Sequence, residues 1–451
     1  MKSINPYNQE VVFEHKEFTV KQVEEAIDKS QNAFTEWRKT SFEERAKLFL
    51  ALADVLEKNK AKYAEVMTLE IGKPISQGIA EIEKCAWVCR YYAENAEKQL
   101  SANKVSTDAQ ESYVRYDPLG VLLAVMPWNF PFWQVFRFAV PSLSAGNTGL
   151  LKHASNVMES AKMIEQSFIE AGFPKNVFQS LIIKSDKVEK IIRNPIVKAV
   201  SLTGSNAAGA AVAKVASEEI KPSLLELGGN NALVVFEDCD LEATLNTCVH
   251  ARFQNTGQSC ISGKRLFVHK NIADEFTEKI TQKIVALKSG DPLDEETYIG
   301  TMVSKEAAET LNEQLQDAIE KGAEVVIGGN YNQAYFEPTL VKNVTPDMKI
   351  YKEETFGPLL ACSTFENEDE VLEMVNSSDY GLGVSLFTTN KKRVENLIPL
   401  FEDGAVFVND LVKSDPRLPF GGTKISGYGR ELSEEGIKAF VNKKTVYIKG
   451  L

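Results

Sequence analysis

The chain has 451 residues, 43% of them hydrophobic and 25% charged, which is enough apolar material for two or three domains with cores of their own and no need of disulfide or metal staples. Its 51 basic and 63 acidic residues give a net charge of -12, which argues against a nucleic-acid-binding function, and no block of like charge reads as an interaction tail. The most apolar run, Leu119 to Trp128, is broken by a Gly and a Pro and is shorter than the roughly 20 residues of a membrane helix.

No apolar segment follows Lys2, so no secretory leader is predicted. The cysteines, Cys85, Cys89, Cys239, Cys248, Cys260 and Cys362, are sparse and form no CxxC pair, so neither a disulfide framework nor a zinc site is expected. A cytoplasmic setting follows, with no metal.

The first hundred residues read as helices. From Ile75 the apolar positions Ile79, Ile82, Ala86, Cys89, Ala93 and Ala96 recur in steps of three and four, one face of a long helix. Cys85 and Cys89 lie on or beside that stripe and read as packing residues. After residue 110 short apolar runs alternate with helical stretches. Strands are predicted at 121–125, 148–151, 177–183 and 197–202, with helices at 132–144, 155–171 and 186–193. The alternation restarts with strands at 232–236, 265–268, 325–327, 359–364 and 405–408. Near-continuous apolar strands between helices predict parallel sheets covered on both faces. The chain therefore reads as two α/β units meeting near Gly228-Gly229. The fragments 112–117 and 445–449 alternate like exposed strands and predict a small extra β layer, a usual oligomer contact.

No strand is followed by GxGxxG, and no GxxxxGK[ST] occurs. A strand at 199–203 does end in the turn Thr203-Gly204-Ser205 before a helix at 206–218. Such a helix start can hold a phosphate, or be an ordinary turn. Cys260, in Asn255-Thr-Gly-Gln-Ser-Cys260, is a candidate nucleophile if reachable, or a buried loop cysteine. His250 falls on a predicted helix and reads as structural. Glu226, in Glu226-Leu-Gly-Gly-Asn230, ends an apolar strand. Burial there suits a general base, while bonding to the Gly-Gly amides is the alternative. Asn129, in Pro127-Trp-Asn-Phe-Pro131, could donate to an oxyanion or simply hold the turn.

Together these motifs, with Glu354-Thr-Phe-Gly-Pro358 and Pro419-Phe-Gly-Gly422 in the same order, make the chain resemble the aldehyde dehydrogenase superfamily over essentially its whole length. The resemblance implies a fold of two Rossmann-like domains plus a β flap. The coenzyme-binding domain would take residues 1–110 and 119–228, the catalytic domain 229–428, and the oligomerisation segment 111–118 with 429–451. It implies Cys260 as nucleophile, Glu226 as base and Asn129 as oxyanion donor beside the Cys260 amide. Trp128, Lys152, Ser155, Thr203, Gly204, Ser205, Glu354 and Phe356 would hold the coenzyme. Ser155 stands where NAD-preferring members commonly carry Glu, so the coenzyme is NAD or NADP. A homodimer or dimer-based tetramer is implied.

For the substrate, the resemblance implies that Arg137 occupies a tunnel position that is Arg in members acting on succinate semialdehyde, that Ser414, six residues before Phe420, matches a serine that helps the same carboxylate in those members, and that Phe420 also lines the substrate site. Read alone, an Arg on an apolar helix is usually a partly buried ion-pair residue; a guanidinium there could instead grip a carboxylate, since no acid lies near it between residues 118 and 158, although a distant one could fold close. A second Arg common in those members is Gln254 here. The chain resembles a shorter bacterial subgroup of succinate-semialdehyde dehydrogenases. An uncharged aliphatic or aromatic aldehyde is the alternative substrate, and a non-catalytic member the remote one. Ser262 replaces a second cysteine found in some relatives, so no thiol switch is expected.

Overall fold

A computed structural model describes residues 1–450. The chain opens on a hairpin, β1 (Lys2–Ile4) with β2 (Val11–Glu14), where the sequence predicts only helix. The turn between them is closed by the Asn5 N–H···Glu10 and Gln9 N–H···Asn5 backbone bonds, a local geometry that apolar periodicity does not report. Three long helices follow: α1 (Val20–Trp37), α2 (Phe42–Ile71) and α3 (Ile75–Gln99). Thr19 with Gln22 and Ser41 with Glu44 form reciprocal capping boxes that fix the starts of α1 and α2. Cys85 and Cys89 are fully buried on α3, as their place on the stripe predicts.

β3 (Asn103–Lys104) and β4 (Glu111–Pro118) lead into β5 (Val121–Met126), α4 (Trp133–Ser144), β6 (Thr148–His153), α5 (Met158–Glu170), β7 (Phe178–Ser180), α6 (Val188–Arg193), β8 (Val197–Thr203), α7 (Asn206–Glu218) and β9 (Ser223–Glu226). The strands from β5 to β9 form a parallel sheet in the order 9-8-5-6-7, closed at the β9 edge by the antiparallel pair Gly427–Tyr428. Alternate side chains enter separate cores: Leu122, Ala124 and Leu151 pack under α2–α4, while Leu123, Leu150 and Val200 pack under α1, α6 and α7.

A second sheet of seven strands holds β10 (Asn231–Val235) and β11 (Gly263–His269), between which runs α8 (Leu241–Phe253). It is parallel apart from Glu324–Ile327 at one edge. It too divides its side chains, with Ala232 and Val234 on one face and Leu233 and Val235 on the other. Two inner strands, Thr339–Lys342 and Val384–Phe387, lie where the sequence pattern predicts none. Each is four residues long and mostly buried on both faces, so neither shows an alternation. The strand expected at 177–183 is confined to β7.

The two exposed fragments do pair: β4 aligns antiparallel with Val441–Ile448, Thr445 opposite Val114, and β3 adds a third strand. Among the described residues no helix is long and apolar enough to cross a membrane.

Candidate active site

The last turn of α8 runs into a sharp bend, Asn255-Thr256-Gly257, in which all three residues take left-handed φ values of 55°, 53° and 71°. For a β-branched Thr this is a strained backbone, worth about 1–3 kcal/mol, and it persists only where the surroundings enforce it. They do. The Asn255 side chain donates to the carbonyls of Asn129 (2.8 Å) and Gln258 (3.0 Å), and a Cβ at Gly257 would lie 2.2 Å from the Gly357 oxygen. The bend delivers Cys260 just ahead of β11, against Gly229, whose absent Cβ would stand 2.5 Å from the Cys260 carbonyl.

Cys260 lies at the meeting point of two cavities. The first, about 220 Å³, is lined by Trp128, Asn129, Thr203, Gly204, Ser205, Leu227, Gly228, Glu354 and Phe356. The second, about 280 Å³, is lined by Lys84, Phe130, Trp133, Arg137, His250, Gln254, Ser414 and Phe420 among others. Among the described residues only Cys260 and Gln134 face both. The six-stranded sheet supplies the first cavity from the carboxyl ends of β5, β8 and β9, where open parallel sheets place their ligands. Helices α3 and α4 wall the second. Glu81 of α3 joins them by accepting the Phe132 and Trp133 amides at the start of α4, both at 2.9 Å, while it also pairs with buried Lys73.

Burial pushes the Cys260 thiol up to about 11, against the opposing pull of Arg137 and Lys264. Asn129 donates one amide hydrogen to Gln258 O (3.1 Å), and the Cys260 N–H has no acceptor among the described residues. Glu226 ends β9 with its carboxylate buried beside Gly421, lining neither cavity, and neither oxygen has a hydrogen-bond partner. Burial holds its pKa well above the usual carboxylate range, while Arg137 pulls the other way. The carboxylate bonded to the Gly-Gly turn is instead Glu354, which accepts from Gly229 N (3.1 Å) and pairs with Lys264 (3.0 Å).

Trp128 and Phe356 meet edge to face at 5.7 Å in the first cavity. Beside it, Gly204 N–H bonds to Glu226 O (2.9 Å), and the Ser205 hydroxyl caps α7. Beyond that turn a groove of about 420 Å³ runs between α6 and α7, lined by Val125, Leu202, Ala208 and Val212. Lys152 pairs in register with Val125 at its edge. It is buried, lacks any ion-pair or hydrogen-bond partner among the described residues, and has its pKa lowered by desolvation. Ser155 is exposed just past β6.

Of the two readings of Arg137, the ion-pair residue is the one with a partner in the structure. Arg137 does have an acidic partner: its Nε forms a buried ion pair with Glu431, and its guanidinium lies 4.5 Å from the Phe420 ring centre. Chain distance hid the acid. The antiparallel pairing of Gly427 with Glu226, and the Phe420–Glu431 backbone bridge (2.8 and 2.7 Å), carry Glu431 beneath α4. Ser414 lines the second cavity as expected, and its hydroxyl accepts from Trp133 Nε1 (2.9 Å) and Lys84 Nζ (3.0 Å). Gln254 also faces that cavity, and His250 bonds to the Tyr298 hydroxyl (2.8 Å) rather than to Cys260.

Sequence reasoning missed Lys84, Gln134, Lys264 and Glu431. Lys264 was legible: a lysine inside the fully buried strand β11 needs partners, and it donates to the carbonyls of Ser259 and Cys260, both at 2.8 Å. The other three stand on segments whose facing surface is set by tertiary packing.

A profile described as the aldehyde dehydrogenase family matches residues 1–446. A probable NADP(+) succinate-semialdehyde dehydrogenase of Synechocystis sp. is 44% identical, over 99% of both chains. Succinate-semialdehyde dehydrogenase [NADP(+)] 1 of Mycobacterium tuberculosis is 43% identical, again over 99% of both. The crystal structure of a succinic semialdehyde dehydrogenase from Streptococcus pyogenes, with NADP+ as its cofactor, superposes with a TM-score of 0.97 at 36% identity, covering 100% of both chains. Matched along nearly its full length by the profile and by these relatives, the chain belongs to the aldehyde dehydrogenase family.

Proposed function

We propose that this chain oxidises succinate semialdehyde to succinate with NADP, through a thioester on Cys260. The observation that carries the reading is a thiol at the junction of two cavities, one lined by Trp128, Phe356 and the Thr203-Gly204-Ser205 turn and the other by Lys84, Arg137 and Lys413. The named relatives support the same substrate and coenzyme.

The residues present fit a nicotinamide dinucleotide. The groove between α6 and α7 has an apolar floor of Val125, Leu202 and Val212 under a charged rim, with room for a base and its ribose, and Lys152, in register with Val125 on the neighbouring strand, is a buried cation in want of an anion or hydroxyl. The Gly204-Ser205 turn opens α7, where phosphates are favoured. Trp128, Phe356 and Glu354 would hold the ring end beside Cys260. Ser155 brings no carboxylate to repel a 2′-phosphate, which supports NADP. We assign the unit built on the six-stranded sheet to coenzyme binding and that on the seven-stranded sheet to catalysis.

In this reading the Cys260 thiolate adds to the aldehyde carbon. The resulting oxyanion is met by the second Asn129 amide hydrogen and the unengaged Cys260 N–H. One such donor typically contributes about 3 kcal/mol to the transition state. A bound coenzyme supplies the hydride acceptor that turns this adduct into a thioester. Glu226, once ionised, takes a proton from the water that releases the acid, and its raised pKa makes it a stronger base than an exposed carboxylate. Arg137 favours the ionised forms of both Cys260 and Glu226.

A homodimer, or a tetramer built from dimers, is supported by the sheet of β3, β4 and Val441–Ile448, whose outer strand leaves an open edge. The free thiols suit a reducing cytoplasm.

Assay of a panel of aldehydes with NADP and NAD, followed at the reduced-nicotinamide absorbance, tests the reading. Succinate semialdehyde with NADP is expected to give the highest kcat/KM, and a clear preference for uncharged aldehydes would overturn the substrate. Light scattering at micromolar concentration tests the assembly; a fully active monomer would refute it.

A further inference from the structure

Of the three cations that line the second cavity, Lys413 pairs with Asp410, and the other two differ in one respect. Arg137 is neutralised within the protein by Glu431. Lys84, on α3, is not. It makes no ion pair with any described residue, although it lies half-buried against the Trp133 ring, 4.3 Å from its centre. The acids nearest to it are committed elsewhere. Glu81 holds Lys73 and two amides of α4, and Asp415 holds the Arg417 guanidinium at 2.6 and 2.9 Å. The ammonium spends one of its three hydrogens on Ser414 Oγ, at 3.0 Å. Ser414 Oγ accepts a second hydrogen from Trp133 Nε1, so both its lone pairs are used and its own O–H remains to be donated. No acceptor for that O–H exists among the described residues.

A carboxylate has the chemistry this cluster lacks. It would accept from the free hydrogens of Lys84 and from the Ser414 O–H, with the Arg137 charge behind it. From these contacts we infer that Lys84, with Ser414, is the carboxylate-binding cation of the substrate cavity and fills the role open at Gln254. The inference deepens the succinate-semialdehyde reading and rests on it. Desolvation, with Arg137 nearby, lowers the Lys84 pKa to about 8, the mark of a cation without a partner that a bound anion would relieve.

The test uses the full-length enzyme and the variants Lys84→Met and Lys84→Arg. Each is assayed for kcat/KM with succinate semialdehyde and with butanal, and for competitive inhibition of butanal oxidation by succinate. Lys84→Met is expected to lower the succinate semialdehyde to butanal selectivity by about tenfold to a hundredfold, the range of one charge-assisted hydrogen bond. The succinate inhibition constant should rise by a similar factor, and Lys84→Arg should recover part of both. Equal losses on both substrates, or an unchanged selectivity and inhibition constant, would overturn the role of Lys84. The reading on which it rests fails separately. If the wild type shows no preference for succinate semialdehyde yet binds succinate in a Lys84-dependent way, the substrate falls and the carboxylate site stands. If the wild type prefers succinate semialdehyde and Lys84→Met keeps that preference, the substrate stands and the site falls.

Discussion

The cavities on either side of Cys260 are built on opposite electrostatic plans. On the side of the first, the fixed charges are closed among themselves: Glu354 pairs with Lys264 and caps Gly229 N–H, and the rest of the lining is aromatic, small or amide. On the side of the second, cations outnumber the acids free to meet them, and one of them, Lys84, has no ionic partner. A self-compensated wall suits a ligand that is the same in every turnover and is bound through shape and backbone. An uncompensated wall selects, because it is stabilised only by a ligand that brings the missing charge.

The thiol at the boundary is the sharpest place to break this picture. Cys260→Ala should lower turnover by at least about 10⁴-fold while coenzyme binding, measured by fluorescence titration, is retained. Steady-state oxidation near the wild-type rate in that variant would remove Cys260 from the mechanism.

Glu226→Gln comes next. The amide keeps the side-chain shape but cannot take a proton, so steady-state turnover should fall by about 10²–10⁴-fold. A stopped-flow burst of reduced coenzyme should survive. If the burst disappears along with turnover, Glu226 acts before the thioester, on the Cys260 thiol itself.

The contrast between Arg137 and Lys84 makes a third prediction. Arg137→Leu strips Glu431 of its only ion-pair partner among the described residues, in a buried site, and should cost about 3–5 kcal/mol of stability, lowering activity on charged and uncharged aldehydes alike. Lys84→Met removes a half-buried cation that has no ionic partner, at the loss of one hydrogen bond to Ser414, and should leave the melting temperature nearly unchanged or higher. Denaturant melts of the two variants decide the matter, and equal destabilisation by both would dissolve the distinction.

The smallest effect is in pH. Lys84 is cationic below about 8, so KM for succinate semialdehyde should rise with pH through that value, by about tenfold between pH 7 and 9, and should not do so in Lys84→Met. The groups that face Lys84 are Glu81 and Cys85 on its own helix, Arg137 from α4 and Asp415 from the segment that follows the second sheet. Burial keeps the Cys85 thiol neutral far above this range, so it adds no competing titration. A KM independent of pH in the wild type would place the carboxylate away from Lys84.

The residues at strand ends and turns were legible in the sequence because their signals are local. A parallel strand buried on both faces is a continuous apolar run, and its carboxyl end is where a polar residue stands out, as Glu226 and Asn129 do. The bend at Asn255-Thr256-Gly257 is announced by its Gly, and the motif around it marks Cys260. What the sequence could not supply was charge matching. The partner of Arg137 could not be named from the sequence because its acid, Glu431, is brought under α4 only by strand pairing at the far end of the chain. Lys84 draws no notice in the sequence, and Ser414 stands out only through the family resemblance, until α3, α4 and the segment before Phe420 close on one another. Periodicity and turn chemistry depend on neighbours in the chain, and so the amino-acid order alone determined the α/β architecture and singled out Cys260 and Asn129 as candidates, whose roles came from the resemblance to a family. Electrostatic compensation depends on distances in space, and so only the tertiary structure decided which cation is spent within the protein and which is left for the substrate.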